Sequence, residues 1–265
     1  MSMATAQPTA LTRSQTAALG TIGIVLFLAI WSALSLSGIV PKQFLPTPYE
    51  VVSKFVQLLS APFAGGTLQQ HLWSSVLRFA YGFLLGAVVG IPLGLMMGWY
   101  RLLDEIVSPV FDALRFIAPI AWVPFAALWF GTGIGGPILI IFAGAFPPCL
   151  INAYRGARFV NRSLIEAAQM LGTSNTRIIT EVLLPASTAS IVAGLRISAG
   201  LGWQSLIGAE LIVASTGVGF MMVQAQLNIS TSIVMSAMLA IGLVGLCIDI
   251  ILRWVEAAVR RRGLA

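Results

Sequence analysis

Charged residues are scarce in this sequence. They make up 9% of its 265 residues, against about 25% in soluble domains. Hydrophobic residues make up 58%, and the mean hydropathy is +0.93. This balance indicates one integral membrane domain, and the length leaves no room for a separate soluble domain beside it.

Histidine and cysteine are nearly absent, which excludes several kinds of site. His71 is the one histidine, so neither a His-based metal site nor a Cys–His nucleophile is expected. Cys149 and Cys247 lie in apolar segments without CxxC spacing, as buried thiols do. The sequence also lacks a Gly-x-x-x-x-Gly-Lys-Ser/Thr phosphate loop, so this chain is not expected to hydrolyse ATP. We therefore predict no catalytic residue and no metal in it.

Long apolar runs predict an all-α protein with six transmembrane helices. A hydrocarbon core about 30 Å thick needs roughly 20 apolar residues in a helix. The second and fifth runs exceed that length, so we expect them to tilt, kink or extend beyond the lipid. The six predicted spans are Ala17–Leu36, Trp73–Tyr100, Val107–Phe130, Pro137–Tyr154, Arg177–Glu210 and Ser232–Val255.

A shorter amphipathic helix is predicted between the first two spans, over Pro46–Ser60. Its apolar face is expected to consist of Val51, Val52, Phe55 and Leu58.

The basic residues give a pI near 10.0. They do not form a patch interleaved with aromatic residues, as a nucleic-acid-binding surface would, but are distributed according to the side of the membrane. With the amino terminus inside, eleven of the 15 lie on or beside the cytoplasmic side. Lys42 and Lys54 fall outside, and Arg78 and Arg196 lie within spans. Residues 1–15 are polar and do not resemble a signal peptide. Both termini are therefore predicted to be cytoplasmic. The eleven basic residues on or beside the cytoplasmic side are Arg13, Arg101, Arg115, Arg155, Arg158, Arg162, Arg177, Arg253, Arg260, Arg261 and Arg262.

Glycine recurs at every fourth position of the second span. In lipid, such a stripe lets helix backbones approach and pack closely, within the subunit or at a dimer interface. The alternative is that the stripe lines a solute path. Pro92 in the same span is expected to kink it. The stripe consists of Gly82, Gly86, Gly90, Gly94 and Gly98.

The stretch between the fourth and fifth spans predicts a short capped helix. Ser163 and Glu166 have the spacing of a capping box at a helix start. Gly172 suits the left-handed residue that ends a helix. A helix of about two turns is unstable alone and needs a surface to dock on.

The same stretch resembles the EAA loop of bacterial ABC importer permeases, through which an ATPase drives the membrane subunit. The pattern is Glu-Ala-Ala, three residues, Gly, nine residues, an aliphatic residue, any residue and Leu-Pro. Val182 stands where the family usually has Ile. The matching residues are Glu166, Ala167, Ala168, Gly172, Val182, Leu184 and Pro185, and with Ser163 they form the predicted ATPase-coupling site.

Resemblance extends over residues 44–210 to the nitrate, sulfonate and taurine class of these permeases. Within the segment after Arg115 the class often has an additional proline where this chain has Ile117-Ala118-Pro119. The stretches that carry the resemblance are Phe44-Leu45-Pro46-Thr47-Pro48, Pro119-Ile120-Ala121-Trp122-Val123-Pro124, Trp129-Phe130-Gly131-Thr132-Gly133, Leu195-Arg196-Ile197, Gly202-Trp203 and Ala209-Glu210.

Membership of this class implies a type I importer fold in the bacterial cytoplasmic (inner) membrane. It implies two ATPase subunits that bind ATP and magnesium, a second permease subunit, here expected to form a homodimer, and a periplasmic or lipid-anchored binding protein. It also implies a small, mostly anionic or polar solute. The expected organisation is a cytoplasmic segment 1–16, a permease domain 17–257 with the EAA loop at 155–185, and a basic cytoplasmic tail 258–265.

Charges within the spans suggest a polar lining for an anionic solute. An unpaired charge there costs at least about 2.5 kcal/mol, so each needs a partner, a cavity or an interface. The alternative is a structural ion pair or an arginine that reaches the membrane surface. Asp112 with Arg115 and Asp249 with Arg253 have the spacing of local helix pairs. The candidate path residues are Arg78, Arg196, Trp203, Gln204 and Glu210.

Two other kinds of protein compete with this interpretation. A secondary transporter or channel would use ionisable residues at mid-membrane and often shows an inverted repeat, which we do not find. A membrane-embedded enzyme would need a metal or nucleophile constellation, which is also lacking.

Overall fold

The computed structural model describes residues 12–41, 43–131 and 133–261, and its regular elements in those ranges are helices. Most of the predicted 1–16 segment, Lys42, Thr132 of the Trp129–Gly133 stretch and the end of the predicted basic tail from Arg262 onward lie outside them. The helices are α1 Arg13–Leu36, α2 Pro48–Ser60, α3 Leu68–Trp99, α4 Arg101–Leu114, α5 Val123–Phe130, α6 Gly135–Arg158, α7 Arg162–Met170, α8 Asn175–Arg177, α9 Leu184–Ile212, α10 Val218–Leu227 and α11 Thr231–Arg261.

Five segments of the described chain are long and apolar enough to cross a membrane. They are Ser14–Leu36, Leu68–Trp99, Gly135–Arg158, Asn175–Ile212 and Thr231–Val259. They agree with five of the six predicted spans to within a few residues. The all-α class is therefore confirmed.

The prediction of one continuous third span is wrong. Between α4 and the pair formed by the 3-10 turn Pro119–Trp122 and α5, the chain bends by 86°. Pro119 has no amide hydrogen, and its ring disfavours helical geometry at the preceding residue. Ala118 accordingly has a ψ of 138°. The two arms together count as a sixth, broken span.

The centre of the molecule is a layer of three helices in which α6 packs against both α3 and α9. Ile140, Ile141 and Ala145 of α6 are fully buried between them. The glycine stripe of α3 faces this middle helix. A Cβ added at Gly90 would lie 3.0 Å from the Cβ of Cys149, and one added at Gly98 would lie 2.5 Å from the Cβ of Ala157. The stripe thus lies at a contact between two helices of the same chain, and α3 continues as a helix through Pro92.

Helix α2 packs against the amino-terminal part of α11 and buries a narrower face than predicted. Val51 and Leu58 are buried, and Phe55 is partly buried beside them. Val52 is 53% exposed. At 100° per residue Val52 lies about 60° from Phe55 and about 100–120° from Val51 and Leu58, so it falls at the edge of their face.

Helix α1 stands apart from the bundle. Nearly all its apolar side chains are exposed, and none of the residues in its most apolar 18-residue stretch is buried against the rest of this chain. Two hydrogen bonds fix its end: the Trp31 indole donates to the Pro46 carbonyl at 3.0 Å, and the Ser35 hydroxyl donates to the Leu45 carbonyl at 2.7 Å.

Candidate functional site

Helix α7 carries the first half of the predicted coupling motif, and its cap differs from the prediction. The helix begins at Arg162, and the Asn161 side chain caps it by accepting from the Ser163 amide at 3.1 Å. The prediction of a capping box between Ser163 and Glu166 is therefore wrong. Ser163 already lies inside the helix, and the side-chain amide of Asn161, two positions earlier, forms the cap instead.

The end of α7 has the geometry expected of a glycine-terminated helix. Gly172 has a φ of +72°. Its amide donates to the Gln169 carbonyl at 2.9 Å, and the Thr173 amide donates to the Ala168 carbonyl at 3.1 Å. These are the two bonds of a Schellman motif, which needs a left-handed residue at this position. Gly172 therefore sets the direction in which the chain leaves the helix.

The carboxyl-terminal end of α7 carries an exposed apolar patch. Met170 is 89% exposed and Leu171 is 85% exposed. Ala167 beside them is also exposed, and no residue of this nine-residue helix is buried. A helix this short is marginal without packing. Its exposed side chains therefore form a small apolar knob suited to a complementary surface.

The second half of the motif lies where the chain turns into the long helix α9. A π-helical turn, Ile178–Leu183, precedes α9 and contacts α7. The Leu184 amide donates to the carbonyl of Ile179, five residues back. Val182 and Pro185 are half-buried, and Leu184 is 41% exposed. The motif thus joins an exposed short helix to a span that enters the core.

A polar cavity of about 760 Å³ lies beside α7. Glu166 and Gln169 of α7 contribute to it, together with Arg101, Arg158 and Arg162. Arg101 also pairs with Glu105 at 2.9 Å on the surface. The mainly basic lining makes this side of α7 electrostatically suited to an acidic partner surface.

Two of the candidate path residues, Arg78 and Glu210, are partners of each other. An Arg78 Nη1 atom donates to the Glu210 carboxylate at 2.9 Å. The Ser75 hydroxyl lies 2.8 Å from both carboxylate oxygens, and the Gly219 amide donates to the carboxylate at 3.0 Å. Arg78 and Glu210 are 6% and 1% exposed. This is a buried charge cluster that joins α3, α9 and α10.

Further hydrogen bonds extend the cluster into the loop before α10. Arg78 donates to the Thr216 carbonyl at 2.6 Å and also contacts its hydroxyl. The Gly217 amide donates to Nδ1 of His71 at 3.2 Å, so Nε2 of His71 carries the proton that is donated to the Phe63 carbonyl at 3.0 Å. Both nitrogens of the single histidine thus have structural partners.

The remaining three candidate path residues lie on two sides of α9. Arg196 faces α11, where it pairs with Asp249 at 2.8 Å and Glu256 at 3.5 Å. Trp203 is buried on the same side, and its indole donates to the Ile241 carbonyl at 3.2 Å. Gln204 is exposed and lines an open groove between α6 and α9. Sequence spacing correctly put Arg196 and Trp203 on one face. Gln204, predicted to adjoin that face, lines a pocket together with Arg196 and also borders the groove between α6 and α9.

Several functional candidates were missed by sequence reasoning. Asn161 was visible as a cap residue directly before α7. His71 and Ser75 lie four residues apart and thus on one face of α3 with Arg78, which is a detectable pattern. The pairing of Arg78 with Glu210 joins residues 132 positions apart. Local spacing did find two ion pairs, Asp112–Arg115 at 2.9 Å and Asp249–Arg253 at 2.7 Å.

Comparisons with known proteins point in one direction. The family described as "Binding-protein-dependent transport system inner membrane component" matches residues 90–262. The chain is 32% identical over 244 residues to the taurine transport system permease protein TauC of Escherichia coli, covering 92% of this chain and 88% of that one. It is 35% identical over 247 residues to the bicarbonate transport system permease protein CmpB of Synechococcus elongatus, covering 90% and 88%.

A solved structure shows the same fold at low sequence identity. A chain of the MetNI methionine ABC transporter in an inward-facing conformation superposes with a TM-score of 0.64 at 19% identity. The match covers 72% of this chain and 95% of that chain. The helical arrangement described above is therefore that of an ABC importer permease.

Proposed function

The chain belongs to the family of binding-protein-dependent transport system inner membrane components, and we propose that it is the permease subunit of an importer driven by a separate ATPase. It is a multi-pass membrane protein of the ABC permease class. Under this proposal it forms the solute path, and ATP and magnesium are bound by the ATPase.

Helix α7 is the observation that carries the proposal. Met170 and Leu171 project from it with most of their surface uncovered, and Gly172 turns the chain sharply behind them. A partner groove that accepts this apolar knob would move α9 with it, because α7 and the π-helical turn before α9 are in contact. The proposed coupling residues are Ser163, Glu166, Ala167, Ala168, Gly172, Val182, Leu184 and Pro185.

The proposed assembly has two copies of this chain, two ATPase subunits and a solute-binding protein. The uncovered α1 and the exposed aromatic side chains of α5, among them Phe125, Trp129 and Phe130, are apolar surfaces that lipid and a second copy would cover. We propose the bacterial cytoplasmic membrane as the location, with both termini inside, because that orientation puts α7 and most arginines in the cytoplasm. Residues 17–257 then constitute the permease domain.

A small oxyanion is the proposed solute class. The two curated relatives are named for taurine, which carries a sulfonate, and for bicarbonate. Both ligands present anionic oxygens to the protein that moves them. The binding protein would choose between such solutes, and the permease would provide a path that accepts the class.

Copurification tests the coupling to an ATPase. We expect a tagged chain, coexpressed with the ATPase of its own transport system, to retain that ATPase through purification in detergent. Gly172→Val should abolish either the retention of the ATPase or the stimulation of ATP hydrolysis by the loaded binding protein, because a β-branched residue opposes a φ of +72°.

Gly172→Asn is the matched control, because asparagine adopts left-handed geometry far more readily. It should retain most of the coupling. A Cβ at this position meets no atom within 4 Å, so a crowding effect cannot explain a loss in the valine variant. Full coupling in the valine variant would mean that α7 is only a connector.

A further inference from the structure

An open groove of about 610 Å³ lies between α6, α9 and the Pro119–Trp122 turn. Its apolar part comes from prolines, leucine and isoleucines of these elements. No aspartate or glutamate is found among the described residues that line it. The polar residues of the lining are Arg115, Asn152, Arg155, Gln204 and Ser205.

The polar groups occupy successive levels along the helices. Gly144 of α6 lies directly opposite the Ser205 side chain. Gly194 of α9 lies opposite Asn152, and a Cβ added at Gly194 would be 2.5 Å from the Cβ of Asn152. Eight residues of α6 separate Gly144 from Asn152, which corresponds to about 12 Å along the axis. Arg155 lies one turn farther, near the end of the bundle that carries α7. The groove therefore runs lengthwise through the proposed membrane region.

Most of these groups have donors to offer an anion. Arg155 and Gln204 are exposed in the groove. Arg115 uses its Nε atom to pair with Asp112 at 2.9 Å, and its guanidinium has four further N–H donors. Asn152 uses its amide nitrogen to donate to the Pro148 carbonyl at 2.8 Å, and that nitrogen has a second hydrogen. Arg155, the Gln204 amide and the unused N–H groups of Arg115 and Asn152 thus line the groove.

We propose that this groove is the wall of the translocation path that an oxyanion follows, with Gln204 and Arg155 as successive contacts. The proposal rests on the proposed importer function and replaces Arg78 and Glu210 as path residues, because those two are buried and paired with each other. Arginine presents paired, planar donors that match sulfonate and carboxylate oxygens. The open, hydrated setting keeps each contact weak enough for release, which conduction requires.

Charge-dependent thiol labelling tests this groove directly. The assembled transporter would carry Gln204→Cys with Cys247→Ser, since Cys149 is 1% exposed and stays unreactive. The two reagents are sulfonatoethyl methanethiosulfonate, itself a small sulfonate anion, and its cationic trimethylammonium counterpart. We expect both to react at residue 204, with the anion favoured. Arg155 lies about 16 Å farther along the axis, so the rates are measured at about 0.01 M ionic strength, where the screening length is roughly 30 Å; there Arg155→Gln should lower the anion-to-cation rate ratio about twofold.

Two controls make the result specific. Lys54→Gln removes a cation on α2, at the other end of the molecule, and should leave the ratio unchanged. Ser60→Cys, at an exposed position of α2, should give a ratio that does not respond to Arg155→Gln.

Two results would overturn the proposal. If residue 204 reacts with neither reagent, with or without nucleotide, the groove is closed by neighbouring protein and is no path. If it reacts but Arg155→Gln leaves the ratio unchanged, the arginine does not select anions. Labelling is also measured without nucleotide and on the chain purified alone, so either failure is distinct from a failure to find an ATPase partner.

Discussion

At the scale of single residues, the Glu210 carboxylate is the most heavily constrained group among the described residues. It accepts from Arg78, Ser75 and the Gly219 amide, and it is 1% exposed. A Cβ at Gly217 or Gly219 would collide with the Glu210 side chain, so both glycines are needed for the loop to close over it. The cluster fixes α10 and its preceding loop to α3 and α9.

Glu210→Ala should strongly destabilise the folded chain. Removal of one partner from a buried ion pair leaves the other charge uncompensated and costs about 3–5 kcal/mol. We expect a clear drop in the temperature at which the detergent-solubilised protein loses its monodisperse elution peak.

Glu105→Ala is the matched comparison. It breaks the surface pair with Arg101, whose side chains are 83% and 62% exposed, and such pairs contribute about 0–1 kcal/mol. Equal thermal stability of the two variants would show that the buried cluster does not stabilise the fold.

At the scale of elements, the contact between α3 and α6 depends on the absence of side chains. The α3 stripe brings backbone against backbone: an added Cβ at Gly90 would lie 3.1 Å from the Phe146 carbonyl oxygen and 3.2 Å from the Leu150 amide nitrogen. Close approach of this kind replaces the hydrophobic effect, which does not operate between helices in lipid.

Gly94→Ala should reduce the yield of folded chain and its thermal stability. Its Cβ would collide with the Leu150 carbonyl oxygen, a backbone atom that moves only if the two helices separate. Overpacking of this kind costs about 1–3 kcal/mol.

Gly242→Ala in α11 serves as the control, because an added Cβ there meets no atom within 4 Å. Both substitutions raise helix propensity equally, so only packing distinguishes them. If Gly94→Ala is as stable as Gly242→Ala, α3 and α6 are not held at the close distance observed.

How well the sequence predicted each feature depended on whether the cause of that feature lies in neighbouring residues or in the tertiary fold. Span length and the left-handed Gly172 depend on neighbouring residues and were predicted correctly. The cap of α7 was predicted two residues too late, because Asn161 and Ser163 are both capable caps and the geometry decides between them. The bend at Pro119 had a local cause that was outweighed by the continuous apolar run around it. The Arg78–Glu210 pair needed the tertiary fold.

At the scale of the whole molecule, the chain leaves many apolar side chains exposed on its exterior and on α7. Helix α1 has almost no contact with the bundle, and the broken third span presents Phe116, Leu128 and Trp129 outward. Lipid and a second copy of the chain would cover these surfaces, and the ATPase would cover α7. The central claim is that transport needs that ATPase.

Solute uptake into proteoliposomes tests this claim most directly. Vesicles would contain the chain alone, or the chain with its ATPase, each with the loaded binding protein outside and with or without ATP inside. We expect uptake only when the ATPase and ATP are both present, and we expect Gly172→Val to abolish it. Uptake by the chain alone, driven by a proton or sodium gradient, would contradict it and identify a secondary transporter.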